Sequence, residues 1–255
     1  MLKQFKEISH SFWVYLDDEK TKIFSDTLQK LHSLFGEDLF ASDNTITFRR
    51  NFGFLKDEKF RVAFDKNSLD DIELSIVWRM HLVCWATNHC LHIPGDFVEC
   101  GVYKGCTSRI IVDYTNFKET DKSFYLYDLF ERVEELGVGL DSREFGKGLV
   151  DYVRSRFSDL PNVYVIQGKV PDSLSIDSPE RIAFMHIDMN NAPAERGALE
   201  VLWDRVSSGG IVIFDDYGWT QYRAQKITID DFLNVRNHYV VELPTGQGMV
   251  IKKNI

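Results

Sequence analysis

"DFVECGVYKGCTSRIIVDYTNF", residues 96–117, sets the architecture. Its first part, "DFVECGV", is short and almost continuously apolar, which reads as a strand buried on both faces. Glycines follow at 101 and 105, and "TSRIIVDYTNF" then carries apolar residues at helical spacing. A strand, a glycine loop and a helix in that order make the first half of a βαβ unit.

The pattern recurs toward the C-terminus. "SFYLYDLF" (123–130), "VYVIQG" (163–168), "RIAFMHIDM" (181–189) and "IVIFDD" (211–216) read as strands. Helices are predicted at "GKGLVDYVRSRFSDL" (146–160), at "AERGALEVLWDRVSSGG" (194–210) with a glycine stop, and at "RAQKITIDDFLNV" (223–235). "YVVELP" (239–244) and "GMVIKK" (248–253) lie close enough to pair antiparallel. The predicted class is α/β: a doubly wound, mostly parallel seven-stranded sheet with C-terminal antiparallel strands. Upstream, "DDIELSIVWRMHLVCWATNHCLHI" (70–93) predicts one long helix, ended by Pro94 and Gly95. Residues 1–70 are polar, aromatic and irregular in pattern, with a helical stretch at 22–35 and a cluster of Phe12, Trp13 and Tyr15. The expected division is a helical N-terminal extension, 1–70, and a ligand-binding domain, 71–255.

The chain has 255 residues, 30 basic and 39 acidic, for a formal net charge of -9. No Lys/Arg run stands out, which excludes a nucleic-acid partner held by bulk charge. Cys84, Cys90, Cys100 and Cys106 are spaced for neither a zinc ribbon nor a dense disulfide framework. They predict buried reduced thiols and a reducing compartment. The N-terminus lacks the apolar core of a signal peptide, and no apolar run approaches the ~18 residues of a membrane span. A cytoplasmic protein is expected.

Polar residues fall at the C-terminal ends of the predicted strands: Glu99, Asp128, Gln167, Asp188, Asp215 and Asp216. In open α/β sheets ligands bind at that edge. The loop Gly101–Gly105, with Val102 and Tyr103 inside it, is not the strict GxGxxG fingerprint. It does lead into a helix N-terminus with free N–H groups, where Thr107 and Ser108 either cap the helix or meet a ligand carboxylate. Glu99 beneath the loop suits an ammonium group, and Asp128 suits the two hydroxyls of a ribose. An amino-acid head and a ribose together describe S-adenosylmethionine, and the altered glycine loop argues against NAD. Gln167, Gly168 and Asp188 complete the candidate cofactor set. Asp188, Asp215 and Asp216 come from neighbouring strand ends, and three converging carboxylates call for a cation. Hard oxygen ligands select Mg2+, Ca2+ or Mn2+ over zinc. His186 reads as a buried, hydrogen-bonded histidine rather than a ligand.

The ordered set "GDFVECGVYKG", "YLYDLFE", "VIQGKVPDSL", "ERIAFMHIDMN" and "GGIVIFDDYGW" resembles the macrocin-type (TylF/MycF-like) sugar O-methyltransferases over roughly residues 71–235. The resemblance implies a class I methyltransferase (Rossmann-like) fold, S-adenosylmethionine and a divalent metal, usually Mg2+. The family's metal aspartates match Asp188, Asp215 and Asp216. Its cofactor positions match Glu99, the Gly101–Gly105 loop and Asp128. One position departs: where the family carries an acidic general base, this chain has Asn190, and an amide takes no proton at neutral pH. Asp188 is then the expected proton acceptor, with His186, His81 and Glu195 as weaker candidates, and Asn190 orients the acceptor.

The resemblance further implies a sugar hydroxyl as acceptor, on a nucleotide-linked sugar or a polysaccharide precursor such as one for capsule. Segment 130–149 and the N-terminal region are expected lid elements, and the latter also the contact of a homodimer. Arg49, Arg50, Arg61 and Lys66 either meet a sugar nucleotide's phosphates or are solvated surface charge. Two alternatives stay open: a catechol-type methyltransferase, and a non-catalytic S-adenosylmethionine-binding protein.

Overall fold

The computed structural model describes Phe12, residues 16–130 and residues 148–254. Trp13, Tyr15 and most of the expected 130–149 lid lie outside the described residues. The chain divides into two compact units, Met1–Leu82 and Val83–Ile255.

The first unit opens with α1 (Asp18–Phe35), capped by the Asp17 carboxylate, which accepts from the Lys20 N–H at 2.9 Å. Next comes a hairpin of β1 (Leu39–Ser42) and β2 (Thr45–Phe48). Asp43 and Asn44 form its two-residue turn with φ of 51° and 55°, a geometry these residue types tolerate. The sequence pattern alone gave an irregular region here. α2 (Glu58–Asn67) and the short α3 (Asp71–Ser75) follow. α4 (Val77–Cys90) carries the boundary between the units. The single helix expected over 70–93 is therefore two, broken at Ile76, where the Ser75 carbonyl accepts from the Ser42 hydroxyl at 2.8 Å. Phe40, Phe52, Phe54 and Trp78 form the aromatic core of this unit, with ring centroids 5.4–6.3 Å apart. Arg79 is buried and clamps Asp43 in a bidentate pair at 2.6 and 2.8 Å.

The second unit alternates strands and helices: β3 (Asp96–Cys100), α5 (Cys106–Thr115), β4 (Phe124–Asp128), α6 (Leu149–Arg156), β5 (Val163–Gln167), β6 (Ile182–Ile187), α7 (Ala192–Leu202), β7 (Val206–Phe214), α8 (Arg223–Asn234), β8 (Val241–Glu242) and β9 (Gly248–Ile251). The seven-stranded sheet runs β5-β4-β3-β6-β7-β9-β8; its first five strands are parallel and the last two pair antiparallel. This is the predicted doubly wound sheet. The connection after β3 leads to β4 on one side and the connection after β6 leads to β7 on the other, so the crevice between β3 and β6 is the topological switch point.

Every residue of β6 is buried, as a central parallel strand requires. One face of the sheet packs Val98, Met185 and Val212 with Leu199, Leu202, Trp203 and Phe232 of the following helical segments. On the other face Phe97 meets Phe117, Phe124 and Phe184 at 5.1–5.8 Å. The four cysteines are free and buried, and burial pushes the Cys90 thiol up to about 12. The helix expected over 194–210 ends at Leu202, and "VSSGG" belongs to β7. There the pairing with β6 slips: Ile182 lies opposite Val206 but Phe184 opposite Ile211. Gly210 sits inside this bulge because a Cβ would come within 2.9 Å of the Ala183 carbonyl oxygen.

Candidate active site

Sheet register explains why three aspartates converge. Ile187 is paired with Phe214, and the ladder runs one step further, with the Asp215 N–H donating to the Ile187 carbonyl at 2.9 Å. Asp188 and Asp215 are thus neighbours just past two adjacent strand ends, and Asp216 follows. Each offers an oxygen, and these atoms lie within 4.8 Å of one another. Burial raises the Asp188 carboxyl well above its usual range, and the charges of Asp215 and Asp216 push the same way. A site that so resists three negative charges, and offers only carboxylate oxygens, fits a hard divalent cation.

Beside it lies the glycine loop. The Gly101 N–H continues the ladder to the Tyr127 carbonyl, and its φ is +93°. Its missing side chain serves the neighbouring strand: a Cβ would fall 1.8 Å from the Asp188 carbonyl oxygen. Asp128 organises the loop. Its Oδ2 accepts from the Val102 and Tyr103 N–H groups, each at 2.7 Å, and its Oδ1 from the Phe130 N–H at 2.8 Å. Burial raises its carboxyl, and the N–H groups of Phe130, Val102 and Leu129 draw it back down. α5 starts after Gly105, which as N-cap offers no side-chain cap to the first turn. Thr107 in that turn is partly exposed and Ser108 is buried. Gln167 closes β5 next to Gly168 and donates to the Leu129 carbonyl at 3.3 Å.

Glu99 is only 1% exposed. The Ser108 hydroxyl donates to its Oε2, and its Oε1 lies 2.8 Å from His186 Nδ1. His186 Nε2 in turn stands 3.5 Å from Asp215 Oδ1, within ion-pair range. Burial alone would lower the imidazole; the Asp215 and Glu99 carboxylates outweigh it and hold it at about 10.

The family model of macrocin-O-methyltransferase (TylF) matches residues 79–241. The chain belongs to the macrocin-O-methyltransferase (TylF) family. A curated relative, the 8-demethyl-8-(2,3-dimethoxy-alpha-L-rhamnosyl)-tetracenomycin-C 4'-O-methyltransferase of Streptomyces olivaceus, is 29% identical over 142 residues, which is 49% of this chain and 54% of the relative. The match thus spans about half the length of that protein. Among solved structures, the O-methyltransferase NovP superposes with a TM-score of 0.59 at 20% identity, over 70% of this chain and 81% of NovP. The calicheamicin methyltransferase CalS11 gives 0.54 at 15% identity, over 93% and 94%. The likeness shows the class I methyltransferase fold.

Asn190 stands where the sequence resemblance leads one to expect an acidic residue. It adopts φ of +53°, and its Oδ1 is buried without a partner among the described residues. Such an acceptor costs about 1–3 kcal/mol unless a ligand supplies a donor. Glu195, in the first turn of α7, is buried; burial and then the Asp216 charge raise its carboxyl to about 8, and the backbone N–H groups of Met189, Asn191 and Asn190 oppose that. It thus lies under the Asp188–Asn191 loop. His81 belongs to the first unit, stacked on Phe54 at 4.3 Å, and burial lowers its pKa. Arg49, Arg50 and Lys66 are exposed, and Arg61 is partly so. Sequence reading missed Gln247, fully buried, whose Nε2 donates to Asp215 Oδ1 at 2.8 Å. Its position opposite the strand-end aspartate follows only from the β7–β9 register, which pairs Phe214 with Gly248.

Proposed function

We propose that this protein methylates a sugar hydroxyl with S-adenosylmethionine, using a divalent cation held by Asp188, Asp215 and Asp216. The observation that carries the reading is the cluster of these three carboxylates, within 4.8 Å of one another, beside the glycine loop in a TylF-family chain. The rhamnosyl group named in the Streptomyces olivaceus relative favours a sugar over a catechol. A nucleotide-linked sugar or a polysaccharide precursor is the proposed carrier, and a homodimer in the cytoplasm the proposed setting. Among the described residues no helix is long and apolar enough to cross a membrane.

The residues divide the work as follows. The uncapped first turn of α5, with Thr107, receives the cofactor's carboxylate. Asp128 holds the loop through Val102 and Tyr103, and its oxygens keep further lone pairs for ribose hydroxyls. Bound S-adenosylmethionine supplies an electrophilic methyl group, and a bound Mg2+ makes the acceptor hydroxyl more acidic. Asn190 Oδ1 accepts a hydrogen bond from the acceptor and fixes its approach. Asp188 takes the hydroxyl proton. With S-adenosylmethionine bound, the oxygen–carbon bond would form as the sulfur–carbon bond breaks, giving the methyl ether and S-adenosylhomocysteine.

The test is methyl transfer to a panel of nucleotide sugars, with catechol as the competing acceptor, in Mg2+ and in chelator. Mg2+-dependent transfer to a sugar is expected. Full activity in chelator would remove the cation from the mechanism, and transfer to catechol alone would overturn the sugar.

A further inference from the structure

A line of polar side chains runs through the apolar sheet. Register builds it. Glu99 on β3 is paired with His186 on β6, and His186 with Ile213 on β7. Asp215 lies two residues beyond Ile213, on the same face. Gln247, next to Gly248, falls opposite Asp215. The contacts are continuous: Ser108 to Glu99, Glu99 to His186 at 2.8 Å, His186 to Asp215 at 3.5 Å, Gln247 to Asp215 at 2.8 Å, and Thr245 to Gln247 at 3.0 Å.

Burying such a row is costly, and apolar side chains would fill the space at less cost. Its two ends make it intelligible. One reaches the first turn of α5, beside the glycine loop. The other meets a carboxylate of the cation site. His186 and Gln247 are both 0% exposed, so neither has surface to offer a ligand. Both approach the same oxygen, Asp215 Oδ1, and so fix the rotation of that carboxylate.

We propose that His186 and Gln247 are positioning residues that aim Asp215 at the cation and, through Glu99 and Ser108, make cation binding and cofactor binding depend on each other. This rests on the cation and cofactor reading above. Rotating Asp215 shifts His186 and Glu99, and therefore the turn that receives the cofactor. The reverse path follows by linkage, since coupling between two sites is reciprocal.

Calorimetric titration of Mn2+ and of S-adenosylhomocysteine, each alone and each with the other bound, measures that dependence. In the wild type each ligand should tighten the other by about 5–150-fold. His186→Leu should bring the factor to about one, and His186→Gln, which keeps an N–H toward Asp215, should retain part of it. Gln247→Met, at the far end and easier to accommodate, should weaken Mn2+ about 10–100-fold and leave S-adenosylhomocysteine alone unchanged. Wild-type binding of both ligands with no coupling, full coupling in folded His186→Leu, or unchanged Mn2+ affinity in folded Gln247→Met overturns the inference and leaves the proposed function standing. Failure of the wild type to bind Mn2+ overturns the cation reading itself, and this inference with it.

Discussion

Gly101 and Asp188 belong to neighbouring strand ends, and the first has no side chain because the second's carbonyl occupies the space, 1.8 Å from where a Cβ would sit. Gly101→Ala combines that collision with a positive φ. The expected cost is about 2–5 kcal/mol, the sum of overpacking and left-handed strain. Urea denaturation reads it, and a wild-type midpoint would show that the two strand ends part easily. Asp216 is the cleaner probe of chemistry, since it lies outside the buried polar row. Asp216→Ala should lower Mg2+-dependent kcat by about 10²–10³ while S-adenosylhomocysteine binds within a few-fold of wild type. A variant that keeps its kcat would take Asp216 out of the cation site. The aspartates were legible in sequence because carboxylates that close buried strands are costly without a partner. Glu99 was read as suited to a ligand ammonium group, but the groups that meet its two oxygens in the structure are Ser108 and His186, which depend on register and helix placement that no short stretch encodes. Gly101 was read as part of a candidate cofactor loop; its nearest neighbour is the chain itself. Asn190 was legible as a missing acid; its unpartnered Oδ1 was not. Asn190→Ala should raise the KM of the sugar acceptor and lower kcat together, at about 10-fold or more in kcat/KM, and a change in neither would remove it from the acceptor site.

Elements were legible where one pattern governs a whole segment and illegible where tertiary contacts divide it. β3, β4 and β6 are short apolar runs that are largely buried, and β5, a half-buried edge strand, carries the same apolar pattern, so composition alone marks all four. β7 begins at Val206, but its start carries two glycines in a bulge, which in sequence resemble a helix stop. The β1–β2 hairpin escaped because its strands are four residues each, too short for alternation to stand out. Its turn is held by a distant partner, since Arg79 on α4 clamps Asp43 with both side chains buried. Removing one member of such a pair strands the other. Arg79→Leu should therefore destabilise the chain by about 3–5 kcal/mol. Asp43→Asn, which tolerates the same positive φ, should recover part of that loss in the double variant. Equal losses in the single and double variants would show that the pair is not what fixes the turn.

At the scale of the molecule, every carboxylate of the proposed cation site lies in the unit Val83–Ile255, on residues the folded sheet alone brings together. The unfolded chain holds no such cluster, so a cation that binds there binds the native state only, and mass action adds its binding energy to stability. At about 100 times its Kd that contribution is about 2.7 kcal/mol. For a unit of this size each kcal/mol moves Tm by about 2–4 °C, so the transition should rise by about 5–10 °C between chelator and saturating Mg2+. The same scan on Asp216→Ala should show little or no rise. Arg79→Leu, whose change lies in the other unit, should keep the cation-dependent rise even as its overall stability falls. Equal transition temperatures for the wild type in chelator and in Mg2+ would mean that the three carboxylates live with their mutual repulsion, and the O-methyl transfer would have to be assigned to Asp188 and the cofactor loop without a cation.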